Sequence, residues 1–393
     1  MNIIFRLKEL TFIFLAFAIP FSVALTNILI VIFTLLWLIE GNFKNKYKKL
    51  KNTKWIISII ILTLLYLIGL IYGEFKVDSL YVLKRVLLLL FFIPLISSEF
   101  KKSTYKNSIF AFLLANFLAA IFAVGINYDL ITPISSNRSI SAFLLYNYHN
   151  ILLSFSALFS FLLYANSSSK YSFIYLALVL VYTFSIFTEA GRAGQLTFNF
   201  FFFLFAIFYL NKKIQYSFLI ISFLICVNLV SYNKSPIFKH RVDHLSHIVK
   251  NDGQKKNKKI QLRDKQNKDI RYVFTDVSLK LIKEKPIIGH GTGSFYSVFK
   301  ENIDKSYSNY PHKTPHNNYL YVLFELGFIG LIVFVSIFFF QILELYKNNI
   351  KNQEVLLLPF FLIFLMFFDS YIFIFSTTIF YIYMYKIFKN TFN

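Results

Sequence analysis

Trp55 to Gly73 reads WIISIIILTLLYLIGLIYG, an apolar run without a single charged side chain. A helix of this length covers the ~30 Å of hydrocarbon in a bilayer, and only a helix or a closed barrel keeps its backbone polar groups satisfied there. Runs of the same kind recur on both sides of it. We expect membrane helices over 9–22, 24–40, 55–73, 80–98, 108–127, 148–165, 172–190, 195–211, 214–232, 317–340, 354–370 and 372–387. The chain has 393 residues, of which 57% are hydrophobic and 20% aromatic, more apolar surface than one soluble core of that size hides. The expected fold is therefore all-α and integral to the membrane, with about 12 transmembrane helices in a single polytopic domain over 1–393. One large hydrophilic loop, 233–315, separates the ninth helix from the tenth.

The N-terminus imitates a secretory signal, with Lys8, an apolar run and then Pro20. Apolar character resumes at once and continues through Ile39, which favours a pair of short membrane helices instead. The formal charge of +22 accompanies a vocabulary rich in Phe, Ile, Lys and Asn, the mark of an AT-rich genome. The lysines are scattered over short connections and not gathered on one domain, so nucleic-acid binding is a poor reading. A lone cysteine, Cys226, lies inside an apolar block and excludes an intrachain disulfide framework.

Basic residues in short loops set orientation. Lys44, Lys46, Lys48, Lys49, Lys51 and Lys54 fill one connection without an acid among them. Lys101, Lys102 and Lys106, then Lys170, then Lys212 and Lys213, then Lys347 and Lys351, and finally Lys386 and Lys389 share its parity if twelve helices are counted. Both termini are then expected in the cytoplasm and 233–315 outside, long enough to escape the charge rule. Within it Asn251–Lys268 is almost wholly polar, whereas Ile270, Val273, Phe274, Val277 and Leu281 recur at helical spacing before Pro286. That spacing predicts an amphipathic helix. No internal repeat is visible, which weighs against a transporter built from duplicated halves.

Ionisable residues at membrane depth or at helix ends are functional suspects. On the outer side these are Lys84 and Arg85, Glu189 and Arg192, Arg271, and His316. Arg192 stands among small neighbours in Thr188-Glu189-Ala190-Gly191-Arg192-Ala193-Gly194, either open to a ligand headgroup or paired with Glu189. Arg271 opens the predicted loop helix, as an anion-binding group or as an ordinary snorkelling arginine. Gly289, Gly291 and Gly293 alternate within Pro286–Gly293, either a cradle of N–H groups for an anion or a tight structural turn. His316 precedes a membrane helix, where a neutral imidazole is favoured and could act as a general base. His240, His244 and His247 with Asp243 have zinc-like spacing, but a solvated face is the better reading. Glu325 stands nine positions after His316, on the opposite side of a helix.

The order of Arg192, a long outer loop, Arg271, the glycine stretch, His316-Asn317-Asn318-Tyr319-Leu320 and Glu325-Leu326-Gly327 resembles the O-antigen ligase and polymerase superfamily of bacterial envelope glycosyltransferases. The resemblance implies a GT-C-like helical enzyme in the bacterial inner membrane, whose large periplasmic loop contains short helices. It implies a donor glycan on undecaprenyl pyrophosphate, a lipid A–core acceptor in lipopolysaccharide biosynthesis, and surrounding membrane lipids. No metal or other cofactor is expected. Carried over, Arg192 and Arg271 match the family's pyrophosphate-holding arginines and His316 its essential histidine, as the catalytic set. Gly289, Gly291, Gly293, Asn317, Lys84 and Arg85 join Arg192 and Arg271 as the expected substrate-binding set. The length and the single dominant outer loop favour a ligase. An O-antigen polymerase is the alternative, and a lipid-linked glycan flippase, with no chemistry, is the alternative from another class. The Lys-rich stretch Lys255–Lys268 matches no family feature.

Overall fold

The structure, a computed structural model, describes residues 2–73, 77–133, 141–210, 214–236, 238–240, 242–243, 270–303, 313–348 and 353–391. Regular structure among them is helical throughout. Each of the twelve expected segments contains helix. The first are α1 (Asn2–Ala18), α2 (Val23–Ile39), α3 (Phe43–Lys51), α4 (Lys54–Tyr72), α5 (Val77–Leu88) and α6 (Phe92–Ser97). Then come α7 (Lys102–Asn127), α8 (Tyr146–Asn166), α9 (Phe173–Thr188), α10 (Arg192–Leu210) and α11 (Ile214–Lys234). The loop region holds α12 (Ile270–Ile282) and α13 (Phe295–Asn302), followed by α14 (Asn318–Asn348), α15 (Leu357–Leu365) and α16 (Phe375–Thr391). The helix expected from Ile270 onward is α12.

Twelve complete spans are more than the helices supply. Seven among the described residues are long and apolar enough to cross a membrane, or eight if the bent pair α2 and α3 is one span. The reason is continuity. The 354–370 segment stays helical only as far as Leu365, with a 3₁₀ turn over Gln353–Leu356 before it, and α9 is 16 residues long, so both fall short of the roughly 20 that a bilayer takes. The first helix also begins at Asn2, earlier than its apolar run, and ends before Pro20.

The described chain divides into two compact units. The first comprises Met1–Ile19, Val23–Ile109 and Asn267–Asn393. Its centre is α16, nearly every side chain of which is buried. In an apolar surround each tyrosine hydroxyl needs a partner. Tyr381 donates to Gln341 Oε1 at 2.6 Å, Tyr383 to the Phe12 carbonyl at 2.9 Å and Tyr385 to Glu344 Oε2 at 2.8 Å. Lys386 donates to the Ser98 carbonyl at 2.6 Å, just past the end of α6, where a cation suits the free carbonyls. By contrast, α2 exposes Ile28, Val31, Leu35 and Leu38, an apolar face that suits lipid.

The second unit comprises Pro20–Ser22 and Phe110–Gln266. Helix α8 is its core. Gly191 and Gly194 lie so close to Asn150 that an added Cβ would stand 2.3 Å and 2.5 Å from that side chain. Ser154 Oγ donates to the Gly194 carbonyl at 2.8 Å. Small residues with interhelical hydrogen bonds are how helices pack where water supplies no driving force.

Candidate functional site

In the first unit the site is built around the turn that leads into α14. Asn317 caps that helix, its Oδ1 accepting from the N–H groups of Tyr319 at 2.9 Å and Leu320 at 3.0 Å. Immediately before it, His316 has φ +52°, a left-handed conformation uncommon for a residue with a side chain. The same turn is stitched to the chain after α15. Asn318 N–H donates to the Met366 carbonyl at 2.9 Å, and Asn318 Oδ1 accepts from Ile372 N–H at 3.2 Å. These bonds bring Asp369 to His316, with Nδ1 to Oδ1 at 3.1 Å and both side chains partly buried. Asp369 Oδ1 also accepts from Ser370 N–H at 2.7 Å, which holds the carboxylate in place. In a neutral imidazole that donates Nδ1–H to a carboxylate, the lone pair is on Nε2. Phe274 of α12 packs on the His316 ring, centroids 5.9 Å apart and planes at 25°. Arg271 is one turn before Phe274 on that helix, and its side chain lies outside the described residues.

Next to this turn stands a cationic group. Lys313 pairs with Asp78 at 2.9 Å and lies 5.4 Å from the Tyr81 ring centroid. The Arg85 guanidinium covers the same ring at 3.8 Å. Lys84, one position earlier on α5, is exposed.

The glycine stretch resolves into a structural turn. His290 and Gly291 N–H donate to the carbonyls of Phe324 and Glu325, each at 2.9 Å, and Thr292 N–H donates to the Gly69 carbonyl at 3.1 Å. Gly293 N–H donates to Glu325 Oε1 at 3.0 Å. These N–H groups are engaged with protein acceptors, the arrangement of a tight structural turn. Gly289, Gly291 and Gly293 have φ of +72°, +97° and +74°, so each position needs glycine. Glu325, fully buried, faces this loop and the start of α13, where a carboxylate suits the free N–H groups of a helix end.

In the second unit, Arg192 is the first residue of α10 and is exposed. The expected alternative, a pair with Glu189, is absent: the guanidinium has no ion pair or hydrogen bond among the described residues. Glu189 is turned inward, accepting from the Ser141 hydroxyl, with His149 Nε2 3.9 Å away. Loss of hydration pushes the Glu189 carboxyl up to about 7, against the Ser141 bond that favours its charged form. Gln195 holds the preceding loop through the Ile186 and Glu189 carbonyls at 3.1 Å and 2.9 Å. A cation at a helix N-terminus is electrostatically unfavourable without an anion nearby. His244 and His247 lie outside the described residues, and among the described residues no three His, Cys, Asp or Glu side chains stand together as a metal site.

Residues 176–335 match the family model described as O-antigen ligase. The match covers 160 of the 393 residues and shows what this stretch is similar to. The match takes in Arg192, Arg271, the glycine turn, His316 and Glu325, and leaves Lys84, Arg85 and Asp369 outside it. No curated protein matches the chain. Members of the family that it resembles are glycosyltransferase-like enzymes. Two residues that belong to the site were not among those expected from sequence. Asp369 was hidden in a segment expected to be continuous helix, where a single acid in Phe367-Phe368-Asp369-Ser370 was the available signal. Lys313 stands three positions before His316, in a loop that carries many lysines.

Proposed function

We propose that this protein is an O-antigen ligase. It would transfer a glycan from undecaprenyl pyrophosphate to a sugar hydroxyl of lipid A–core on the periplasmic face, with inversion and without a metal. The observation that carries the reading is the His316–Asp369 pair at 3.1 Å, held in place by the bonds between the start of α14 and the chain after α15.

His316 Nε2 takes the proton of the acceptor hydroxyl as that oxygen attacks the anomeric carbon. The bond from that carbon to the pyrophosphate oxygen breaks, and undecaprenyl pyrophosphate leaves with the electron pair. Asp369 stabilises the imidazolium that forms and keeps the ring in the productive tautomer. Arg271, with Arg85 and Lys313, neutralises the charge gathering on the leaving pyrophosphate, and the family resemblance alone assigns Arg192 a pyrophosphate-holding role. Guanidinium suits this role because it stays charged and binds phosphate oxygens in pairs. The glycine turn shapes the site and contacts no phosphate.

The test is transfer by purified full-length protein from undecaprenyl-pyrophosphate glycan to lipid A–core in the presence of EDTA, for wild type and His316→Ala. Transfer by wild type that is lost in the variant supports the ligase. Lengthening of the donor glycan in place of transfer means a polymerase, which would share all of these roles and differ only in acceptor. Neither product, with His316→Ala fully functional in cells, sinks the enzyme reading in favour of a flippase.

A further inference from the structure

Far along the chain from His316, the short helix α3 combines three distinct faces in nine residues. It leaves α2 at 113°, through a bend where Gly41 has φ +66° and Asn42 has φ +55°. A helix turned so sharply from an apolar one runs close to the membrane plane. Phe43, Tyr47 and Leu50 recur at helical spacing, and Phe43 and Tyr47 are 53% and 66% exposed, large aromatic surfaces that suit the level of the lipid headgroups. Lys44, Lys48 and Lys51 form a second row, exposed and with no hydrogen bond or ion pair among the described residues. No acid stands between Gly41 and Lys54 to offset them.

The third face closes a cavity of about 480 Å³. Asn45, Lys46 and Lys49 line it from α3, with Lys8, Glu40 and Glu99 among the facing residues. Lys46 pairs with Glu40 at 3.0 Å and is almost fully buried, and Lys8 and Lys49 pair with Glu40 and Glu99. Three ammonium groups thus face two carboxylates, so the lining keeps a net positive charge beside an unpaired lysine row. A solvated helix would show the row but no cationic cavity behind it.

We propose that α3 and the cavity behind it bind the phosphate headgroup of an anionic phospholipid, outside the glycan-transfer site and independent of it. Phosphate is held between the exposed row and Lys49, while Phe43 and Tyr47 sit at the acyl boundary. Attraction of this kind is worth several-fold in binding per lysine and is screened by salt.

The experiment is native mass spectrometry of the full-length protein in detergent, titrated with phosphatidylglycerol or phosphatidylcholine. Wild type should retain phosphatidylglycerol preferentially. Lys44→Gln, Lys48→Gln and Lys51→Gln together should weaken that retention at least about tenfold and leave phosphatidylcholine unchanged. Lys49→Gln alone should weaken it several-fold. Lys102→Gln, Lys106→Gln and Lys347→Gln, exposed lysines elsewhere, should leave it intact, and all variants should melt as wild type does. No preference in wild type, full retention in the α3 triple variant, or an equal loss in the distant triple variant would each overturn the proposal.

Discussion

Alanine at Gly291 and alanine at Gly41 separate two effects that glycine hides. Gly291 has φ +97°, and a Cβ there would stand 2.4 Å from Gly73 Cα and 2.8 Å from both Gly69 O and Gly73 N. All three are backbone atoms at the end of α4, so no side chain can swing aside. Gly41 has φ +66° and nothing within 4 Å of its Cβ position. Left-handed backbone alone costs an L-residue about 1–2 kcal/mol, which is the whole expected effect of Gly41→Ala. Gly291→Ala carries that strain and adds about 1–3 kcal/mol for forcing packed backbone apart. It also endangers the Gly291 to Glu325 and Thr292 to Gly69 bonds, at about 1 kcal/mol each. The difference between the variants should therefore be about 1–5 kcal/mol, the upper end if both bonds are lost. Thermal unfolding in detergent, followed by Trp37 and Trp55 fluorescence at one scan rate, reads it, with Gly291→Ala melting well below Gly41→Ala. Equal melting points would refute the reasoning and show that the loop relaxes away from α4 freely.

Three further outcomes follow from the site. Asp369→Asn removes a charged hydrogen-bond acceptor worth about 1.5–3 kcal/mol, so glycan transfer should fall by roughly 10–100-fold, while His316→Ala should lose about 10²–10⁴-fold. Unchanged transfer by Asp369→Asn in the same assay would make that pair structural. Arg192→Ala should leave the melting point within about 0.5 kcal/mol of wild type, because the guanidinium touches nothing described, yet should cut transfer, and a melting loss would reveal a hidden packing role. Glu189 has a folded value near 7 against 4.5 ordinarily, so its protonated form favours the fold below about pH 4.5 and that contribution is lost as pH rises through about 7. The difference corresponds to about 3 kcal/mol, and Glu189→Gln should flatten the fall in melting point between pH 5 and pH 8. A wild type with no such fall would contradict the burial of this carboxyl.

The sequence made the apolar helices legible because membrane length and hydropathy act on each segment alone. The amphipathic α12 was legible for the same reason, since its stripe lies within one stretch. The His316 motif was readable through family likeness. What stayed hidden depends on contacts between distant segments. A break after Leu365 and the pairing of Asp369 with His316 belong to two segments about 50 positions apart, and hydropathy treats both as uninterrupted helix. The inward turn of Glu189 likewise depends on Ser141, so spacing alone offered Arg192 as its partner.

The two glycine signals turn out to be one device. Gly327 breaks α14 with φ +64° and ψ −164°, and its missing Cβ would lie 2.2 Å from the Ile287 carbonyl oxygen. That break lets the α14 backbone meet the loop, with Phe324 and Glu325 carbonyls accepting from His290 and Gly291 while Phe328 N–H donates to the Pro286 carbonyl at 2.8 Å. A continuous helix has those carbonyls committed to its own next turn, so the break and the loop require each other. The part of α14 before the break is the segment that starts at Asn318, directly after His316. The loop holds it on one side and the chain after α15 on the other. His316 can therefore keep a left-handed backbone and a fixed carboxylate partner, because the segment that follows it is held by backbone hydrogen bonds to the loop and by backbone and Asn318 side-chain bonds to the chain after α15.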